Sequence, residues 1–347
     1  MGCHQTVRRL VFKPRLFTQS FIAMRHTLFQ TPRMSLPQLA AWVLLGGIAL
    51  AGIPTPDCLG ADPRRFTIGT YNVENYLDQP KGTRRAKSEP AKSRVRESIK
   101  ALNADILAIQ EMGSLEALGE LQASLRKEGL DYPHREFVRG WDTNIFLSIL
   151  SRYEIVARRP HTNESFLLNG RRLHVSRGFA EVDIRLNPTY QITLITAHLK
   201  SRRAAVQADE AEWREQEALK LRSLVDIRLT ANPRANLVVL GDFNDTPASR
   251  PMKVLLGKGK TSMVDTRPTE RHGDTYTNTE SQDDPRRIAW THFYAKEDTF
   301  SRVDYILLSR GLAAEWQKAG TRILALPNWG QASDHRAIVA EFLAQDR

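Results

Sequence analysis

Short hydrophobic runs recur along the chain, separated by polar and turn-forming stretches. The runs are rich in Val, Ile, Leu, Phe and Tyr, which is typical of buried β-strands. We predict strands at FTIGTYN from Phe66, DILAIQ from Asp105, NIFLSILS from Asn144, FAEVDIRL from Phe179, YQITLITAHL from Tyr190, NLVVLGD from Asn236, RVDYILLS from Arg302 and AIVAEF from Ala337.

Segments with helical periodicity lie between several of these strands. Helices are predicted for SRVRESIKALN, for GSLEALGELQASLRK and for the charged segment 204–229. Strands and helices mix without strict alternation, which favours an α/β sandwich over a doubly wound nucleotide-binding fold. Neither a P-loop nor a GxGxxG motif is present in the sequence.

The N-terminal region has a different pattern. Residues 39–53 are apolar and uncharged, with basic residues before them and small residues after them, as in a secretory signal peptide. We therefore expect a leader over residues 1–61, one folded domain over 62–347, and export to the periplasm or the cell exterior. Translation from Met24 or Met34 would give the leader a more usual length. A permanent anchor and a buried core helix are the alternatives, although 15 residues fall short of the ~20 that span a bilayer.

Composition indicates a globular protein, and the distribution of charged residues shows which segments account for its net charge. The 347 residues include 50 Lys and Arg against 39 Asp and Glu, and 41% are hydrophobic, which excludes collagen-like, disordered and polytopic membrane classes. The net charge of +11 invites a nucleic-acid partner. However, residues 1–61 carry six basic residues and one acidic residue, and residues 81–100 carry eight and two. The rest of the chain is formally neutral, so segment 81–100 is either a solvated face or a phosphate-facing rim.

Cysteine chemistry is excluded for the folded domain. The two cysteines, Cys3 and Cys58, both lie in the predicted leader. Residues 62–347 therefore contain neither a disulfide nor a cysteine nucleophile.

Polar side chains suited to metal binding and proton transfer stand at the ends of the predicted strands. They are Asn72, Glu74, Asn75, Glu111, His198, Asp242, Asn244, Asp245, Asp304, Asp334 and His335. Carboxylate and amide oxygens suit Mg²⁺ or Mn²⁺, and imidazoles beside carboxylates can move protons or stabilise negative charge. The set predicts metal-assisted hydrolysis of a phosphoester, and no GxSxG motif supports a serine hydrolase.

The order of these motifs resembles a known superfamily. The motifs are YNVEN from Tyr71, IQE from Ile109, LSR from Leu150, TAHLKS from Thr196, GDFND from Gly241, RVDYILLS from Arg302 and SDH from Ser333. Together they are similar to the endonuclease/exonuclease/phosphatase superfamily, which shares the deoxyribonuclease I fold. The resemblance covers Phe66–Phe342 and implies a four-layer α/β/β/α sandwich of two packed mixed sheets flanked by helices.

The resemblance also implies roles for individual residues. The implied metal ligands are Asn72, Glu111 and Asp334. The implied catalytic residues are His198, Asp242, Asn244, Asp304 and His335, in which Asp242 orients or deprotonates water, Asn244 binds a phosphoryl oxygen, and Asp304 partners His335. Arg177 resembles a phosphate-contacting arginine, and Asp142 is the expected partner of His198. The remaining histidines match no motif and are expected at structural or surface positions; they are His134, His161, His174, His272 and His292.

Three functions follow from these expectations. The first is an exported nuclease that uses Mg²⁺ or Mn²⁺ to cleave nucleic acid, supported by segment 81–100, by Arg177 and by the basic run 200–203. The second is a phosphodiesterase or phosphatase for lipid or small phosphoesters, which would need an aromatic loop near the cleft. The candidates for that loop are Trp290, Phe293, Tyr294, Trp316 and Trp329. The third is a catalytically silent binding module. None of the three functions implies an obligate protein partner.

Overall fold

The structure is a computed structural model that describes residues 64–271 and 288–345. The predicted leader and His272 lie outside the described residues. The helices are α1 (Glu89–Leu102), α2 (Leu115–Lys127), α3 (Glu210–Ala231), α4 (Arg250–Leu256) and α5 (Arg310–Ala313). The strands are β1 (Arg64–Tyr76), β2 (Ile106–Met112), β3 (His134–Val138), β4 (Phe146–Ser151), β5 (Glu154–His161), β6 (Ser165–Leu168), β7 (Arg171–His174), β8 (Phe179–Asn187), β9 (Tyr190–His198), β10 (Leu237–Asp242), β11 (Val264–Asp265), β12 (His292–Tyr294), β13 (Thr299–Ser301), β14 (Asp304–Leu308), β15 (Trp316–Ile323) and β16 (Ile338–Ala344).

Two six-stranded mixed sheets form the centre of the domain. One has the order β15-β16-β1-β2-β4-β3 and the other the order β11-β14-β10-β9-β8-β5. Parallel pairing is found between β1 and β2 and between β9 and β10, and the other neighbouring strands pair antiparallel. Two short hairpins, β6–β7 and β12–β13, lie outside the sheets.

Three hydrophobic cores define four layers. The first core contains residues of both sheets, such as Ile68 of β1 and Leu240 of β10. A second joins β1, β2 and β16 to helices α1 and α2, and a third joins β9, β10 and β14 to α3 and α4. The predicted α/β/β/α sandwich is therefore confirmed. Within the described residues, no helix is both long enough and hydrophobic enough to cross a bilayer.

The register of the strands brings the predicted site residues to one edge. Asp242, at the end of β10, pairs in register with His198 of β9 on one side and Asp304 of β14 on the other. The preceding Gly241 has φ 134°, and a Cβ there would lie 2.0 Å from the carbonyl oxygen of Ala197. Only glycine fits this close approach between β9 and β10.

Candidate active site

The centre of the site joins the two sheets through buried polar side chains. The Nδ2 of Asn72, on β1, donates a 3.0 Å hydrogen bond to Oδ2 of Asp242, on β10. The same nitrogen lies 3.5 Å from Oε1 of Glu111 and 3.5 Å from Nε2 of His335. Four of the residues singled out in the sequence therefore meet at one point, at the carboxyl ends of β1, β2 and β10.

Glu111 and Asn244 of the site have left-handed backbone conformations. Glu111 has φ 66° and Asn244 has φ 55°, conformations that non-glycine residues adopt infrequently. The backbone N–H of Asn75 donates to Oε2 of Glu111 at 2.9 Å, and the N–H of Asn244 donates to Oδ1 of Asp242 at 2.9 Å. Such strained positions concentrate at functional sites, because the surrounding contacts must hold them.

His335 and Asp304 form a buried pair. The Nδ1 of His335 lies 2.9 Å from Oδ2 of Asp304, as the resemblance implies. Burial alone would lower the pKa of the His335 imidazole, but the carboxylates of Asp304 and Asp242 outweigh that effect and raise the pKa well above its ordinary value. The imidazole therefore carries positive charge at neutral pH.

His198 has the opposite character. Its Nε2 lies 3.3 Å from Oδ2 of Asp242 and 4.0 Å from Oε1 of Glu111. Burial, together with the charge of Arg177, lowers the pKa of the His198 imidazole well below its ordinary value. A neutral imidazole and a charged imidazole thus face the same carboxylate, an arrangement that separates acid and base roles.

The expected pairing of His198 with Asp142 is wrong. The Oδ2 of Asp142 lies 3.4 Å from Nε of Arg177, and the buried Nδ1 of His198 has no hydrogen-bond partner among the described residues. The N–H of Asp142 donates to the carbonyl of Ser176 at 2.6 Å, and this contact between the two segments brings Asp142 next to Arg177.

Arg177 is buried more deeply than a phosphate-contacting residue at the mouth of a cleft would be. It is 5% exposed and lies just before β8, where Nη1 donates to the carbonyl oxygen of Leu199 at 3.0 Å. The guanidinium therefore links the turn of Asp142 to the residue that follows His198. Its contact with phosphate remains a prediction.

Burial also tunes the central carboxylate. It raises the pKa of Asp242 to about 6, although the nearby charge of His335 opposes the shift. Asn244 fixes this carboxylate, since its Nδ2 lies 3.3 Å from Oδ2 of Asp242 and donates at 3.0 Å to the carbonyl of Leu199. A carboxylate whose pKa is close to neutral is suited to orient water and accept its proton.

The donor atoms fit a divalent metal ion. Two groups each bring three possible ligand atoms within 4.8 Å of one another, namely Asp242–Asp304–His335 and His292–Asp334–His335. Both need a neutral His335 imidazole to bind a metal, and neither includes Glu111. Crowding of negative charge is further evidence, because burial and the charge of Asp334 raise the pKa of Glu74. A cation would relieve that repulsion, and the carboxylate oxygens of Glu74, Glu111 and Asp334 are of the kind that binds hard divalent ions.

His292 belongs to the site, contrary to its predicted surface or structural position. Its ring centroid lies 4.5 Å from that of His335, and its Nε2 lies 3.6 Å from Oδ2 of Asp334. The backbone of β12 pairs with the segment around His335, which brings the two rings together. This pairing depends on tertiary structure, so no sequence motif could have revealed it.

Helix α3 supplies two further residues that sequence reasoning missed. Buried Glu217 accepts hydrogen bonds from the N–H of Ser176 at 2.7 Å, from its hydroxyl at 2.7 Å and from the N–H of Lys200 at 2.6 Å. One turn earlier, Arg214 donates to Oδ2 of Asp245 at 2.8 Å and to the carbonyl of Lys200 at 3.0 Å. The two side chains anchor the loops that carry Arg177 and Asn244 and the loop that follows His198.

The basic segment 81–100 divides into two parts. Arg84 donates to Oδ1 of Asn75 and lies 3.7 Å from Oε2 of Glu111, and Lys87 lies 4.0 Å from Glu74. These cations border the site.

Four other basic residues of the segment lie on α1, namely Lys92, Arg94, Arg96 and Lys100. Lys92 pairs with Asp78, while Arg96 and Lys100 both pair with Glu128. The segment is therefore partly a rim of the site and partly a helix face with its own ion pairs.

Comparison with known proteins agrees with this geometry. The model of the Endonuclease/Exonuclease/phosphatase family matches residues 69–335, which include every implied catalytic and metal-binding residue. The chain belongs to this family. Members of the endonuclease/exonuclease/phosphatase family are generally dependent on divalent metals, and the fold indicates a phosphoester hydrolase.

Solved structures show the same fold with several activities. The human Nocturnin catalytic domain, solved with bound sulfate, is 18% identical with TM-score 0.57, covering 81% of this chain and 95% of that one. Sphingomyelinase C from Streptomyces griseocarneus is 17% identical with TM-score 0.53, covering 80% and 99%. The 3′ phosphatase NExo from Neisseria, bound to a product DNA hairpin, is 19% identical with TM-score 0.52, covering 80% and 99%. No curated protein sequence matches the chain significantly.

Proposed function

We propose that the chain is an exported nuclease that uses Mg²⁺ or Mn²⁺ to cleave nucleic-acid phosphodiesters by in-line attack of water. The observation that carries the proposal is the buried centre, where neutral His198 and charged His335 face the carboxylate of Asp242. The cations Arg84 and Lys87 beside this centre favour a substrate with several phosphates.

Each residue of the centre has a task in this reaction. Asp242 orients the attacking water and accepts its proton. Asn244 holds that carboxylate in place, and its contact with a phosphoryl oxygen stays a prediction. His335 stabilises the negative charge that develops on the phosphoryl oxygens, while Asp304 keeps the imidazole charged. The metal ion, held by Asn72, Glu111 and Asp334, would add positive charge at the same oxygens.

The test is a panel of substrates with two variants. Purified protein is incubated with plasmid DNA, RNA, sphingomyelin vesicles and bis-p-nitrophenyl phosphate, with Mg²⁺ or Mn²⁺ and with EDTA. We expect EDTA to abolish cleavage and His335→Ala or Asp242→Ala to lower kcat by roughly 10²- to 10⁴-fold. His134→Ala, on the outer strand β3, is the matched control. Near-normal rates in the two variants would remove these residues from the mechanism.

A specific observation favours the alternative of a lipid or small-phosphoester substrate. The hairpin β12–β13 begins at His292, within the site, and carries Tyr294 at 40% and Phe300 at 55% exposure. Trp290 packs against both Phe300 and Trp329, at centroid distances of 4.8 and 5.1 Å. Cleavage of sphingomyelin in preference to DNA and RNA would support this alternative over the nuclease.

Not every aromatic candidate belongs to this group. Phe293 stacks on Phe300 in the hairpin, with the centroids 4.6 Å apart. Trp316 lies on the edge strand β15, where it packs against the core between the sheets and donates to Thr321 at 2.6 Å. The predicted aromatic loop therefore includes Phe293 but excludes Trp316.

Export remains part of the proposal and rests on the sequence of residues 1–61. Expression of the full chain should yield exported protein whose N-terminus, determined by mass spectrometry, lies close to residue 61. Full-length protein retained in the cytoplasm would contradict it.

A further inference from the structure

Trp141 is a large aromatic side chain that the fold leaves in solvent. It is 55% exposed, and its ring stacks on the ring of His174 with the centroids 3.6 Å apart and the planes at 22°. Stacking on one side restricts the indole while the side chain stays accessible. An exposed aromatic ring held in this way is suited to stack against a flat partner.

The loop that carries Trp141 is fixed to the wall of the site. Gly140 packs so closely on Arg177 that a Cβ at residue 140 would lie 2.2 Å from the carbonyl carbon of Arg177. On the other side of the tryptophan, the N–H of Asp142 donates to the carbonyl of Ser176 at 2.6 Å. Because Arg177 also bonds to Leu199, the residue after His198, the loop of Trp141 is held beside the His198 end of the site.

Two cations continue this wall to the metal-binding end. The guanidinium of Arg139 and the Nζ of Lys81 both lie over the ring of Phe146, at 5.8 and 5.5 Å from its centroid. Lys81 also donates to the carbonyl of Gly113 at 3.2 Å, two residues after Glu111. We call Lys81, Arg139 and Trp141 the Trp141 rim, which extends from the end of β2 towards the segment beside His198.

The charge of the rim is suited to phosphate. Backbone hydrogen bonds between Lys81 and Arg84 bring a third cation next to it. One exposed carboxylate, that of Glu116, stands at the start of α2. Hydrogen bonds from its own N–H and from Ser114 are the main cause of its lowered pKa, and the nearby charges of Arg139 and Lys81 contribute. Cations still outnumber this carboxylate, and an aromatic ring among cations is the arrangement that binds single-stranded nucleic acid.

We propose that Trp141 is a stacking platform for one base of a single-stranded nucleic acid, whose flanking phosphates contact Arg139 and Lys81. This inference rests on the proposed nuclease function and adds a substrate class, namely a strand with an unpaired base next to the cleaved phosphate. The rim recognises the base by its flat face, so it accepts any base sequence.

The experiment separates base binding from phosphate binding. Fluorescence anisotropy measures the affinity of the purified protein, in EDTA, for a labelled dT 12-mer and for a 12-mer of the same length made of abasic sugar phosphates. Wild-type protein should prefer the dT strand. Trp141→Ala should weaken binding of the dT strand by roughly 5- to 150-fold and remove the preference over the abasic strand.

Two further variants act as controls. Trp141→Phe retains a ring and should restore most of the preference, whereas Ile227→Ala removes an exposed side chain of α3, 62% exposed, and should change neither affinity. Equal dT affinity in wild-type protein and Trp141→Ala overturns the inference. Equal losses on the dT and abasic strands in Trp141→Ala also overturn it, because the tryptophan would then only shape the loop.

Failure of the inference and failure of the proposed function give different results. Base-dependent binding through Trp141 in a protein that cleaves neither DNA nor RNA with metal would refute the nuclease and leave the platform. Cleavage of DNA or RNA with no effect of Trp141→Ala on binding would refute the platform and leave the nuclease.

Discussion

Replacement of Arg214 tests whether helix α3 holds the active-site loops. In Arg214→Met the stem of the side chain remains, but Asp245 and the carbonyl of Lys200 lose their partner. The two charged side chains are 5% and 13% exposed, so this is a buried ion pair, and removal of one partner typically costs about 3–5 kcal/mol. Arg202 lies 3.8 Å from the same carboxylate and offsets part of the loss, which places the expected cost at about 3 kcal/mol.

Urea unfolding of the variant measures this cost, and thermal unfolding provides a second reading. A loss of about 3 kcal/mol should lower Tm by roughly 6–12 °C, with the m-value in urea unchanged. At a temperature where the variant is folded, kcat should also fall, because the displaced loops flank His198 and Asn244.

Arg250→Met is the matched control. Arg250 also pairs with a carboxylate, at 3.7 Å from Glu215, but its side chain is 83% exposed. Such surface pairs contribute about 0–1 kcal/mol. Equal destabilisation by Arg214→Met and Arg250→Met would refute the assignment of the energy to burial. Full kcat in folded Arg214→Met would refute the anchoring of the loops.

Three further outcomes follow from the geometry. Asp304→Asn should lower the pKa of His335, since it removes a carboxylate that raises it, and the loss of kcat with rising pH should move to lower pH; an unchanged pH–rate profile would contradict this. Gly241→Ala places Cβ against the carbonyl of Ala197 and should prevent stable folding, whereas Gly129→Ala, with φ 89° and open space, should cost only about 1–2 kcal/mol in the same unfolding assay. With two rim cations, binding of single strands should give a slope of log K against log salt of roughly −1.4; a much steeper slope would indicate a wider basic surface.

The central strands could be predicted from sequence, whereas the edge strands could not. All eight predicted strands are present, because strands such as β2 and β10 are buried on both faces and have nearly continuous apolar sequences. The edge strands β3, β5 and β15 are only partly buried, and each contains charged residues, with Pro160 also in β5. Charged residues and proline are common at edges because they oppose further pairing, and they also hide the strand pattern.

The same distinction applies to the site. Asn72, Asp242 and His335 could be found because short motifs at strand ends carry them. Glu217 and Arg214 lie in a helix of high charge, where they are buried beside the apolar residues Ala218 and Leu221. In the sequence, Glu217 and Arg214 look like the other charged residues of α3. Only the packing of α3 against the loops shows that these two are buried.

The net charge of +11 is a poor guide to the substrate, because the balance of carboxylates and cations around the site decides what it binds. Five carboxylates gather around the centre, and their field alone would repel a phosphodiester; they are Glu74, Glu111, Asp242, Asp304 and Asp334. Arg84, Lys87 and charged His335 offset part of this field from within the site, and a divalent ion would offset two charges more. The basic residues of α1 contribute little, because each of Lys92, Arg96 and Lys100 has a carboxylate partner. Affinity for a polyanion must therefore arise from the few cations that border the carboxylates and from those of the Trp141 rim, and it should depend more on the bound metal than on the total charge of the chain.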